Sequence, residues 1–316
     1  MEQENISVTT QFIIYGISDN PTICLIFFIA SLLIYSLTLG GNLTILLLIC
    51  THHQLHTPMY YFLANLSILD ISLSTITLHK ILLSFITGEK SVSVNECMAQ
   101  IFMFFSMTCN ELLILTAMSY DRYVAICNPL HYHMAMNHRI TALLATVCWV
   151  WSFLENLPTL VEFNKLICYQ SNIINHFFCD PVPVIKLSCS DTSVLELYIL
   201  SVGILLGCFP PFFLTFISYV FIISVILKIP SNIGRYKAFY TCSSHLMVVI
   251  LLYSTLIFQY LRPYSLVNLD SNKLSSLFNT ALVPMLNPLI YSLKNKDVTM
   301  ALKRQFGKKS RVVKQQ

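Results

Sequence analysis

Seven long apolar stretches run through this chain, and they leave it few ways to fold. They cover residues 22–49, 57–82, 98–127, 140–161, 195–228, 238–261 and 272–292, the second and seventh being the least apolar. A helix needs about 20 mainly apolar residues to cross the hydrocarbon core of a bilayer. In lipid every backbone N–H and C=O must find its partner inside the protein, so runs of this length become helices. Composition agrees. The chain is 55% apolar and only 11% charged, against about 25% charged residues in a soluble domain. The expected fold is an all-α membrane protein, a seven-transmembrane helix bundle followed by a short amphipathic helix. The whole chain, 1–316, reads as one domain: a leading segment 1–21, the bundle 22–292 and a tail 293–316.

Charge sets the expected orientation. With the N-terminus outside, 13 of the 19 Lys and Arg fall on the inner side, eight of them after residue 293. The positive-inside rule favours this arrangement. It makes the chain a multi-pass membrane protein with an outer N-terminus and a cytoplasmic tail. The first 20 residues hold Glu2, Glu4 and Asp19 but no Lys or Arg. A cleaved leader would start with basic residues, so none is expected. Asn5-Ile6-Ser7 is a glycosylation acceptor that would lie outside. Asn42 and Asn65 match the same pattern inside spans, which makes them chance matches. A pI near 8.4 gives no reason to expect a nucleic-acid partner.

Cys97, Cys168, Cys179 and Cys189 fall on the outer, oxidising side. Four cysteines allow three pairings, and the sequence alone does not choose. The other seven cysteines lie in spans or at their inner edges, where they serve as small packing residues. The connection 162–194 reads as a stapled lid over the helix ends. In it, His176-Phe177-Phe178-Cys179-Asp180 invites a metal reading, but a cysteine held in a disulfide cannot act as a thiolate ligand. His131, His133, His138 and His245 read as interfacial or packing residues. No cofactor is expected. HExxH zinc sites, GxSxG elbows and phosphate loops are all missing from the sequence, so an enzyme is not expected either.

The motifs are specific. Met118-Ser119-Tyr120-Asp121-Arg122-Tyr123 ends the third span. Leu55-His56-Thr57-Pro58-Met59-Tyr60 opens the second. Lys237-Ala238-Phe239-Tyr240-Thr241-Cys242-Ser243-Ser244-His245 opens the sixth, and Pro284-Met285-Leu286-Asn287-Pro288-Leu289-Ile290-Tyr291 closes the seventh. In this order and spacing the chain resembles the odorant receptors, a branch of the rhodopsin-like G-protein-coupled receptors. The Leu227-Lys228-Ile229-Pro230-Ser231 loop resembles their tetrapod-type class. Ser119, Tyr61 and Tyr240 depart from residues usual in the family.

The resemblance implies disulfides Cys97–Cys179 and Cys168–Cys189. It implies that Arg122, paired with Asp121, is the residue that meets the G protein, with Tyr123, Tyr219 and Tyr291 in the same switch region. It implies a sodium or proton site at Asp70 and Glu111, two acids deep in the bilayer that would repel each other if both were ionised. Asn42 and Asn287 would supply neutral oxygens there.

The ligand cavity implied by the resemblance falls on one face of helix three, with Phe104, Phe105 and Thr108 beside Ile101 and Cys109. Helix five adds Gly203, Ile204 and Gly207 beside Leu200. Helix six adds Tyr253, Ile257 and Tyr260 beside Leu256, and helix seven adds Leu277 and Thr280. No carboxylate occupies this face of helix three, so an amine has no obvious counter-ion. The lining suits a small, mainly hydrophobic, neutral molecule. The expected function is an odorant receptor that activates a stimulatory, olfactory-type G protein and raises cAMP. The alternatives are the same fold sensing a metabolite in another tissue, or a transporter. A transporter would account for the buried acids but not for the Asp121-Arg122 pair or the lid cysteines.

Overall fold

The computed structural model describes residues 10–260, 269–294 and 297–304. Seven long helices form a bundle: α1 (Pro21–Thr51), α2 (Pro58–Thr87), α3 (Val94–Cys127), α4 (His138–Asn164), α5, α6 (Asn232–Tyr260) and α7. Helix α5 runs in three consecutive pieces, Ser193–Tyr198, Ile199–Leu206 and Phe209–Leu227, the middle one wound as a π-helix. Helix α7 does the same over Leu269–Leu277, Phe278–Leu282 and Val283–Lys294.

Each start and stop has a local cause. Pro21 and Pro58 sit in the first turns of α1 and α2, where no N–H is needed. Ser93 and Glu96 form a reciprocal capping box on α3, and the Asn137 side chain caps α4 by accepting from the Ile140 N–H. Gly88 ends α2 with φ 76°, a left-handed conformation that glycine adopts without strain.

Six of these helices are long and apolar enough to cross a membrane. The seventh span does not reach the same hydropathy, as the sequence led one to expect. Among the six, α4 and α2 have the lowest hydropathy over their most apolar 18 residues. Helix α1 combines the highest mean hydropathy, 2.4, with the least burial. Its apolar surface faces outward, as it must where lipid is the solvent. Helix α3 is the most buried and touches α2, α4, α5 and α6.

Apolar contact alone gives little drive between helices in lipid, so close packing and polar side chains hold them together. The Trp149 indole N–H donates to Asn65 Oδ1 at 2.9 Å. The Asn42 amide donates to the Pro284 carbonyl at 3.2 Å. Gly41 lets α1 approach α7, since a Cβ there would lie 2.9 Å from Pro288 Cγ.

The lid end carries a feature the all-α expectation did not include. Strands β1 (Gln11–Ile14), β2 (Ser91–Ser93) and β3 (Ile173–Ile174) form a small sheet in the order β2-β1-β3. Gln11 faces Ser93 in the antiparallel pair, and Ile13 faces Ile173 in the parallel one. Phe12 and Ile14 point inward from the alternation and are buried. At the opposite end, residues 297–304 are helical. Val298 and Ala301 are buried, and the Arg304 guanidinium donates to Gln54 at 3.0 Å. This is the described part of the short amphipathic helix expected after the bundle. Asn5 lies outside the described residues.

Candidate functional site: a cavity between α3, α4, α5 and α6

Between α3, α4, α5 and α6 lies a partly open cavity of about 130 Å³. An apolar cavity of about 150 Å³ in another protein admits benzene, so this space suits a compact molecule. Helix α3 contributes Phe104, Phe105, Thr108 and Cys109, residues brought to one face by three- and four-residue spacing. Helix α5 contributes Gly203, Ile204 and Gly207, and α6 contributes Tyr253, Leu256 and Ile257. Phe212 meets Tyr253 edge-on, with ring centroids 5.1 Å apart. The Thr108 hydroxyl is buried and has no hydrogen-bond partner.

Helix α7 does not join this lining. Thr280 is fully buried, its hydroxyl donates to the Ser276 carbonyl, and its own carbonyl accepts from Ser74 on α2. Leu277 packs into the main core. Ile101 belongs to the apolar cluster under the lid, and Leu200 is half exposed on the outer surface of the bundle. The Tyr260 side chain lies outside the described residues.

The structure also brings in Leu112, Ile199, Cys208, Phe209, Phe212 and, from α4, Asn156 and Glu155. Glu155 corrects the expectation that an amine would have no obvious counter-ion. That expectation looked only at α3, and the acid arrives from the neighbouring helix. The signal that could have found it is plain: an ionisable residue inside an apolar span.

The lid is tied to the outer end of α3 and packs against it. Cys179 is bonded to Cys97 on α3, and Cys168 to Cys189. Phe178 packs its ring 5.5 Å from that of Phe104. Asp180 is fully buried and accepts hydrogen bonds from the Val182 N–H, Gln259, Asn272 and Ser276. Among the described residues no cluster of three or more His, Cys, Asp or Glu could hold a metal ion.

The two buried lid groups titrate in opposite senses. Burial, with the Lys273 charge nearby, pushes His176 down to about 3, while burial pushes Asp180 up to about 6 against its four donors. His176 is neutral when folded. Its contribution is complete above its ordinary value of 6.5 and is lost as pH falls from there towards about 3. The contribution of Asp180 is complete below its ordinary value of 3.8 and is lost as pH rises through about 6. Between pH 7 and 5 the two therefore oppose each other. His176→Phe should remove the acid-sensitive half, so the variant should lose less melting temperature than the parent between pH 7 and 5. Thermal melts of detergent-solubilised protein read this directly, and identical pH dependence in both proteins would refute it.

At the other end of α3, Asp121 is buried and Arg122 nearly so. Arg122 Nε lies 3.8 Å from Asp121 Oδ2 and 2.6 Å from the Met59 sulfur. The Tyr132 hydroxyl, which the sequence did not single out, donates to Asp121 Oδ1 at 2.8 Å. Tyr123 stacks near Tyr120 and Phe221. Tyr219 and His245 lie ring on ring, with the tyrosine hydroxyl 2.6 Å from Nδ1, while Nε2 is 3.1 Å from the Leu115 carbonyl. An Nε2–H donor then leaves Nδ1 to accept from Tyr219. His245 is thus neither interfacial nor mere packing: it ties α6 to α3 and α5. His131, His133 and His138 are exposed. Tyr291 is fully buried.

Midway along the bundle, the Asn287 amide donates to Asp70 at 2.9 Å and also hydrogen-bonds Glu111. Asp70 Oδ2, Glu111 Oε1, Asn42 Oδ1 and Asn287 Oδ1 are all buried acceptors without a donor. An all-oxygen set with two acids fits a hard monovalent cation or a shared proton.

A family model described as "Olfactory receptor" matches residues 31–309. The chain belongs to the olfactory receptor family. It is 44% identical to olfactory receptor 5AR1 of Mus musculus over 98% of this chain and 99% of the relative. It is 43% identical to olfactory receptor 6C1 of Homo sapiens over 92% and 93%. Squid rhodopsin matches 93% of this chain and 91% of its own, with a TM-score of 0.68 at 19% identity, which shows the shared seven-helix fold. The olfactory receptor described here is therefore a multi-pass membrane receptor with the fold of a G-protein-coupled receptor, and not an enzyme.

Proposed function

We propose that this olfactory receptor binds small, mainly hydrophobic odorants in the cavity between α3, α4, α5 and α6 and activates a stimulatory, olfactory-type G protein, raising cAMP. The observation that carries this reading is the cavity itself, apolar and aromatic, with the unpartnered Thr108 hydroxyl inside it. The lid faces outward with a glycosylated Asn5, and the basic tail lies in the cytoplasm. Asp121, Arg122, Tyr123, Tyr219 and Tyr291 form the G-protein end. Asp70 and Glu111, with Asn42 and Asn287, hold a sodium ion or a shared proton that steadies the resting bundle.

One cellular assay tests these statements together. Cells expressing the chain with a tag at each end are given a chemically broad odorant panel and a cAMP reporter, in sodium or choline buffer. Neutral apolar odorants should raise cAMP, and only the N-terminal tag should label without permeabilisation. Choline should raise the basal signal in the parent and not in Asp70→Asn. A surface-expressed receptor silent to the whole panel would contradict the function. Surface labelling of the tail would contradict the orientation, and equal choline effects in both proteins would remove the ion.

A further inference from the structure

Among the described residues Glu155 is the one carboxylate in the cavity lining, and its setting is unlike that of a packing residue. It stands on α4 among residues that face outward, Trp151, Leu154 and Leu157, yet its own side chain turns into the gap towards α3 and α5. One oxygen lies 3.5 Å from the Cys109 thiol on α3. The other lies over the backbone of α5. A Cβ at position 207 would come within 2.6 Å of Glu155 Oε1 and 2.7 Å of the Gly203 carbonyl, so only glycine leaves the acid its place. This is also where α5 is π-wound, with the Gly207 N–H bonded to the Val202 carbonyl at 2.8 Å. The Tyr198 hydroxyl donates to the Glu155 carbonyl at 3.1 Å and fixes the backbone of α4 there.

Among the described residues no Lys, Arg or His forms an ion pair with Glu155. Its side-chain partners, the Cys109 thiol and the Trp151 indole, are neutral. An acid placed in an apolar wall is costly unless a cation or strong donor meets it. A carboxylate has about four acceptor directions, and two neutral partners leave some of them open to whatever occupies the cavity. Charge-assisted hydrogen bonds are roughly twice as strong as neutral ones.

We propose that Glu155 is a specificity-determining counter-ion, and that this receptor responds to compact apolar molecules carrying a protonated amine. The proposal rests on the cavity reading above and adds to it the chemical class of ligand. The apolar body of the molecule lies against Phe104, Phe105 and Ile257, and its ammonium group points between α4 and α5 to Glu155. Carboxylic acids of the same shape are repelled.

The test uses three ligands with one skeleton: cyclohexylmethylamine, cyclohexylmethanol and cyclohexanecarboxylic acid. Dose–response curves are measured on the full-length receptor, corrected for surface expression, in the parent and in Glu155→Gln, Glu155→Asp and Phe104→Ala. The amine should be the most potent on the parent and the acid the least. Glu155→Gln should weaken the amine about tenfold while moving the alcohol about threefold or less, as loss of a charge-assisted contact predicts. Glu155→Asp should keep the preference for the amine. Phe104→Ala should weaken amine and alcohol alike. An amine silent on the parent where the alcohol is active overturns the proposal, and this readout needs no variant to fold. Equal shifts of amine and alcohol in Glu155→Gln overturn it as well. If Phe104→Ala leaves every ligand unchanged, it is the cavity reading that fails.

Discussion

Arg122→Ala should abolish agonist-driven cAMP while leaving ligand affinity within about threefold of the parent, less than the effect of one neutral hydrogen bond. Arg122 lies 14 residues beyond Thr108 on the same helix, roughly 21 Å at 1.5 Å per residue. No direct contact links it to a molecule in the cavity. In the structure its guanidinium is held between Asp121 and the Met59 sulfur, and Asp121 is held in turn by Tyr132. Beside it, the Tyr219–His245–Leu115 chain ties three helices together. An opening of this end on activation would free the arginine for a partner, and alanine would remove the charge that the partner meets. Surface-normalised cAMP and binding assays on the same membranes check the separation. A variant at normal surface density that still signals would remove Arg122 from the switch.

Thr108→Asp should be the most damaging substitution in the cavity. The Thr108 hydroxyl is buried and unpaired, so an acid there would have no partner and would share the cavity with Glu155. Burying an unpaired carboxylate costs far more than losing a neutral hydrogen bond. Potency for neutral agonists should fall beyond measurement. Thr108→Val removes one neutral hydrogen bond, about 0.5–1.5 kcal/mol, and should shift potency roughly threefold to tenfold. Phe104→Ala should lie between the two, because removing a buried ring loses contacts and leaves a void. Its ring also supports Phe178 of the lid, so correction for surface expression is essential. If all three variants keep parental potency for several unrelated agonists, the ligand binds elsewhere.

Much of this was legible in the sequence, for physical reasons. Span lengths follow from bilayer thickness, so the helices lie within a few residues of the apolar runs. On α3 a regular helix carries Phe104, Phe105, Thr108 and Cys109 to one wall, and simple spacing finds them. On α7 the positions implied by the resemblance do not reach the cavity: the helix is π-wound over Phe278–Leu282, and Thr280 is fully buried with its hydroxyl on the Ser276 carbonyl. The same distortion on α5 left no clear mark in the sequence. The small sheet was also hidden, because its strands are two to four residues long and pair across distant parts of the chain. Glu155 stands on α4, a helix that the expected cavity did not include. His245 was missed because nothing local tells a buried, doubly bonded histidine from a packing one.

The most direct test pairs the two ends of the molecule. Saturation binding and cAMP production are measured on the same membranes for the parent, Phe104→Ala and Arg122→Ala, with one agonist from the panel. The account predicts that Phe104→Ala loses affinity and potency together, while Arg122→Ala keeps its affinity and loses cAMP. Parental affinity in Phe104→Ala, or an equal loss of affinity in Arg122→Ala, would contradict it.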